Sequence, residues 1–141
     1  DPTKKMSKSD ENQNAIVYIL DDRDTIIRKF RRAVTDSEAK VRYAEGKDGV
    51  NNLMEIYSAV TGKTLEAIED EFTGKGYGDF KTAVGEAVAL ELKPIQERFT
   101  ELMKDKAQLE ALMKSGAEKA SYVAGRTLGK AMKKLGFVIL R

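Results

Sequence analysis

The chain opens with Asp1-Pro2-Thr3-Lys4-Lys5-Met6-Ser7-Lys8-Ser9-Asp10, a stretch that crowds three lysines and two serines into residues 4–9. It has no apolar periodicity that would give these residues a packing role. Ammonium groups supply point charge, while hydroxyls and backbone N–H groups supply donors, so the stretch suits a polyanion such as a chain of phosphates. By composition alone a solvated tail is the commoner outcome for a Lys/Ser-rich terminus. The order of the residues carries the sharper reading.

Other chemistries are bounded by what is missing. Histidine, cysteine and tryptophan are absent, which removes imidazole bases, thiol nucleophiles, disulfides and zinc sites built on Cys or His. Catalysis by this chain must run on Lys, Ser, Asp, Glu or backbone. The formal charge of +2 hides a sorting along the chain. Residues 23–42 carry seven Lys/Arg against three Asp/Glu, residues 43–113 eight against fourteen, and residues 114–141 seven against one.

On helical wheels the two basic ends form faces. Arg28, Arg31 and Arg32 lie opposite Ile26, Phe30, Ala33 and Val34; Lys119, Arg126, Lys130, Lys133 and Lys134 lie opposite Ala117, Ala124, Leu128, Met132 and Leu135. Tyr122 falls near the second group, where its ring could stack on an unpaired base. Charged helix faces are more often plain solvated surface. Gly74-Lys75-Gly76-Tyr77-Gly78 has neither the spacing of a phosphate-binding loop nor a preceding strand, so it reads as an interhelical turn without a site.

The elements that must hold these residues read as helices almost throughout. Ile26, Ile27, Phe30, Ala33 and Val34 have helical spacing behind a possible cap at Asp24, with Thr35-Asp36 as the end. A second helix starts near Asp48-Gly49, buries Val50, Leu53, Met54, Tyr57 and Val60, and stops at Gly62; Leu65, Ile68 and Phe72 mark a short third. The longest stripe runs through Phe80, Val84, Val88, Leu92, Ile95, Phe99 and Leu102, with Pro94 expected to bend or divide it. A final region holds Leu109, Leu112 and Met113 and is expected to restart at Ser115, which has capping-box spacing to Glu118, and to end at Gly136. Residues 15–20 are the one strand-like run, too short to be told from a buried helical turn. The expected fold is all-α, a helical bundle with a mobile N-terminal loop over residues 1–12 and at most one short strand. With 141 residues and 41% hydrophobic content there is room for one core.

Lys5-Met6-Ser7-Lys8-Ser9 reproduces the KMSKS signature of class I aminoacyl-tRNA synthetases, and the flanking Asp1-Pro2-Thr3-Lys4 and Asp10 resemble the tryptophanyl branch. The resemblance continues along nearly the whole chain. Ile27-Arg28-Lys29-Phe30 through Ala33-Val34-Thr35-Asp36 is similar to the first helix after the loop, and Gly49-Val50-Asn51-Asn52-Leu53 to the next helix start. Tyr77 with Phe80-Lys81, Leu92-Lys93-Pro94-Ile95-Gln96-Glu97-Arg98, Gly116-Ala117-Glu118-Lys119-Ala120 and Arg126-Thr127-Leu128 resemble the remaining landmarks in order. The nucleotide-binding fold with its HIGH-type motif and the amino-acid pocket have no counterpart here, so tryptophan specificity is implied by resemblance alone. The tyrosyl enzymes are the nearest alternative, and a non-enzymatic helical nucleic-acid-binding module is the rival from another class.

The resemblance implies a ligase that uses ATP with Mg to activate tryptophan and passes it to tRNA(Trp), working as a cytoplasmic homodimer. It implies that Lys5 and Lys8 are the catalytic cations, with Met6, Ser7 and Ser9 completing the ATP-binding loop. It makes Arg28, Arg31, Arg32, Tyr122, Arg126, Lys130 and Lys133 candidates for tRNA binding. Residues 1–20 would be the loop and connection belonging to the catalytic domain, and residues 21–141 a helical anticodon-binding domain. The start at Asp1 rather than Met suggests excision from a longer protein, and without substrate pockets the segment alone is expected not to adenylate. No apolar run is long enough to cross a bilayer, and no leader pattern precedes the chain, so no membrane role is expected.

Overall fold

A computed structural model describes residues 2–3 and 12–137. The Lys5–Ser9 signature, with the mobility expected around it, lies outside the described residues. A single 3-10 turn, Gln13–Ala15, precedes five helices: α1 Arg23–Arg31, α2 Asp48–Thr61, α3 Leu65–Glu71, α4 Tyr77–Lys104 and α5 Lys106–Lys134. The chain divides into two compact units, Asp1–Gln96 and Glu97–Arg141. Among the described residues there is no strand, so the all-α expectation holds.

The first unit is built on the apolar stripes read from the sequence, except that the longest stripe is buried only in its first half, through Phe80 and Val84, while Ile95 and Phe99 are exposed. Ile26, Val50, Met54, Ile68, Phe80 and Val84 are fully buried. Tyr57, Phe72 and Phe80 meet edge to face, with ring centroids 5.0–6.3 Å apart, the arrangement that aromatic quadrupoles favour. Helix starts are set by side-chain caps: Asp22 accepts from the Thr25 N–H, Thr64 from Ala67 and Asp105 from Gln108. Gly62 ends α2 in the left-handed conformation, with φ at 72°.

Four details depart from the sequence expectation. The cap of α1 is Asp22 rather than Asp24, and the helix ends at Arg31, ahead of the β-branched pair Val34-Thr35 that disfavours its continuation. Val34 is therefore 81% exposed instead of joining the apolar face. Pro94 does not divide α4; Pro94 and Leu90, whose carbonyl it leaves without a helical donor, both lie on exposed positions, where solvent can reach that carbonyl. Nor does α5 restart at Ser115. The helix runs through it to Lys134, since a single glycine such as Gly116 costs only about 1 kcal/mol and neither it nor the later Gly125 and Gly129 breaks the helix. It then closes at Gly136 (φ 76°), with Gly136 N–H donating to Lys133 and Phe137 N–H to Met132.

The loop between α1 and α2 is pinned by a buried cation. Lys47 Nζ lies 3.0 Å from Asp36 Oδ2, 2.8 Å from Glu38 Oε2 and 2.9 Å from the Tyr77 hydroxyl, which in turn donates to Asp36 Oδ1. Burial pulls the Asp36 carboxyl upward, but the hydrogen bonds from Tyr77, Lys47 and the Glu38 N–H outweigh it and hold it down at about 2. Burial likewise pulls the Lys47 ammonium down, and Glu38, Tyr77 and Asp36 together hold it above its ordinary value.

Candidate functional site

The segment directly after the basic signature is the first described part of the site. Residues 15–20 form no strand; a 3-10 turn capped by Asn12 gives way to extended backbone at Ile16 and a tight turn in which Asp21 N–H donates to Tyr18 O. Backbone groups without a ladder need other partners, and here side chains of the helices provide them. Lys29 Nζ donates to Ile16 O at 2.7 Å and to Asp21 Oδ2 at 2.6 Å, and stands 4.8 Å from the centre of the Tyr18 ring. The Gln96 amide donates to Ile19 O at 2.7 Å and Asp21 O at 2.9 Å. Lys29 was not singled out in the sequence, although its position three residues after Ile26 puts an ammonium on the apolar side of α1.

The outer side of α1 carries the first basic group. Arg28, Arg31 and Arg32 are exposed and, with Asp24 and Ile27, line one shallow surface concavity. Their position at the helix C-terminus complements the helix dipole, which is reason enough for basic residues there. Arg28 donates to Thr25 Oγ1 and Arg32 to Asn14 Oδ1, at 3.1 and 3.3 Å. Neither contact neutralises the guanidinium charge. The three arginines therefore present donors and positive potential to an anion.

The second group lies in the other unit, along α5. Lys119, Tyr122, Arg126, Lys130 and Lys133 are all exposed and recur at three- and four-residue steps, which places them on one face. The Arg126 guanidinium stands 5.7 Å from the centre of the Tyr122 ring, and Tyr122 is 66% exposed. A cation on one side of the ring leaves an aromatic surface for a planar group. Glu118 is the only carboxylate in residues 114–141, so this face is little neutralised from within. No residue of α5 is buried.

Among the described residues no group of three or more acidic side chains is arranged to hold a metal ion, and no helix is long and apolar enough to cross a membrane.

Residues 1–93 match the family described as tRNA synthetases class I (W and Y). The tryptophan–tRNA ligase of Clostridium acetobutylicum is 48% identical over 139 residues, covering 99% of this chain and 42% of the relative. That of Listeria monocytogenes serotype 4b is 50% identical over 131 residues, covering 92% of this chain and 39% of the relative. The chain thus spans about two fifths of the length of these relatives. The crystal structure of tryptophanyl-tRNA synthetase from Mycoplasma pneumoniae is similar with a TM-score of 0.80 at 32% identity, covering 99% of this chain and 44% of that one.

Proposed function

Because the chain belongs to the class I tRNA synthetase family of the tryptophan and tyrosine enzymes, we propose that it is the part of a tryptophan–tRNA ligase that supplies the ATP-handling loop and tRNA-binding helices. The observation that carries this reading is the intact Lys5-Met6-Ser7-Lys8-Ser9 signature at the head of a chain 48% identical to a tryptophan–tRNA ligase over 99% of its length. Residues 1–20 are read as the loop and its connection, and residues 21–141 as the helical anticodon-binding part.

In the proposed reaction a carboxylate oxygen of tryptophan bonds to the α-phosphorus of ATP as the bond to the bridging oxygen breaks and pyrophosphate leaves. A ribose hydroxyl of the tRNA 3′ end then takes the acyl group and AMP departs. Negative charge builds on pyrophosphate as the first bond breaks, and cations that tighten on it at that moment stabilise the transition state more than the ground state. Lys5 and Lys8 have that role, Lys8 foremost; Met6, Ser7 and Ser9 shape the loop and add donors. Magnesium rides on the phosphates of ATP, to which the loop's ammonium and hydroxyl groups add charge and donors.

Arg28, Arg31 and Arg32 on α1, and Tyr122, Arg126, Lys130 and Lys133 on α5, are the proposed tRNA contacts: cations for backbone phosphates and the ring for an unpaired base. The reading carries with it a cytoplasmic, homodimeric full-length enzyme, and a segment that does not adenylate alone. The test is aminoacylation by a full-length protein containing this sequence. Tryptophan should be esterified to tRNA(Trp), whereas charging of a tyrosine tRNA with tyrosine would move the chain to the other branch of the family.

A further inference from the structure

Two lysines are buried among the described residues: Lys47 pins the loop between α1 and α2, and Lys29 is explained by neither the core nor the basic faces. Lys29 projects from the apolar side of α1, its side chain is 8% exposed, and its ammonium is spent on the segment between the basic signature and α1. Asp21, its ion-pair partner, is itself 15% exposed and also accepts from the Tyr18 N–H at 2.9 Å. A buried ion pair is a poor source of stability compared with apolar packing, but it fixes geometry, because each charge holds the other to one place. Gln96 reaches the same segment from α4 and ties down two of its carbonyls. Residues 16–21 are thus fastened from two helices, although they form no strand and bury no large side chain of their own.

We infer that Lys29 and Gln96 form a clip that positions the loop carrying Lys5 and Lys8, by fixing the point from which that loop departs. The clip holds Ile16, only seven residues after Ser9 in the sequence, and that closeness in the chain is the ground for assigning it an effect on the loop. An ångström of misplacement at reacting groups is enough to cost about a hundredfold in rate. Lys29 and Gln96 are positioning residues and touch no substrate. The inference rests on the ligase reading.

The experiment uses a full-length ligase containing this sequence and measures tryptophan-dependent ATP–pyrophosphate exchange, with kcat and KM separated, alongside thermal unfolding and tRNA affinity. Lys29→Met, which keeps the stem and removes the charge, is expected to lower kcat about tenfold to a hundredfold, with KM for tryptophan and tRNA affinity unchanged. Lys29→Arg should recover part of the loss, since its guanidinium can donate to both Asp21 and Ile16. Gln96→Ala guards against a variant that merely fails to fold: it removes neutral hydrogen bonds of a half-buried side chain and strands no charge, so it should shift the unfolding temperature less than Lys29→Met and should still lower kcat. Wild-type kcat in Gln96→Ala, together with a Lys29→Met loss no greater than its loss of folded protein, would overturn the clip. No exchange from the unsubstituted protein would remove the ligase reading, and the inference with it.

Discussion

Gly85 of α4 lies against Ile27 of α1 so closely that a Cβ at position 85 would stand 2.8 Å from the Ile27 Cα. Backbone cannot move aside as the end of a side chain can, so the absence of a side chain at Gly85 is what lets these two helices approach. Gly85→Ala should destabilise the protein by about 1–3 kcal/mol, the range for overpacking a dense core. A fall in the urea midpoint without a change in slope would be the signature. An unchanged midpoint would show that α1 can back away freely.

The Asp36–Lys47–Tyr77 network predicts an acid-sensitive contribution to stability. The Asp36 carboxyl falls from 3.8 to about 2 on folding, so between those values the unfolded state binds more protons than the folded one. Its stabilisation is complete above the unfolded value and is lost as pH falls toward 2. Asp36→Asn should flatten the dependence of unfolding free energy on pH in that window. Equal slopes in the two proteins would assign the acid sensitivity elsewhere.

The basic face of α5 predicts salt-dependent tRNA binding. Reversing charge at Lys130 and Lys133 should weaken binding to all tRNAs alike and flatten the plot of log affinity against log salt, by roughly 0.7–0.9 for each phosphate contact removed. Tyr122→Ala should instead reduce the preference for the cognate anticodon loop. Equal affinities before and after charge reversal, at low salt, would return this face to plain solvated surface.

In a full-length enzyme, Lys8→Ala should lower kcat and kcat/KM together for the activation step, by about 2.7–4 kcal/mol on the scale of a lost transition-state donor. A raised KM for ATP at unchanged kcat would show that Lys8 holds ground-state phosphate only.

The helices were legible because their apolar residues recur at helical spacing, and Gly62 and Gly136 stand where left-handed caps were needed. Helix α1 was misplaced at both ends because its true cap, Asp22, is one of three nearby aspartates with equal capping chemistry, and only the geometry of Thr25 distinguishes it. The continuity of α4 through Pro94 depends on the exposure of Leu90, a tertiary fact. Of the candidate site, the basic faces were readable as a local pattern. Lys29 and Lys47 were not, because their partners Asp21, Ile16, Asp36 and Tyr77 lie eight to 30 residues away, and nothing in the order of residues announces a buried ion pair.

The most direct measurement is amino-acid-dependent ATP–pyrophosphate exchange by a full-length protein containing this sequence, with tryptophan and tyrosine in parallel. Tryptophan should support exchange, tyrosine should not, and the 141-residue chain alone should support none. Exchange driven by tyrosine, or by neither amino acid, would contradict the tryptophan–tRNA ligase reading.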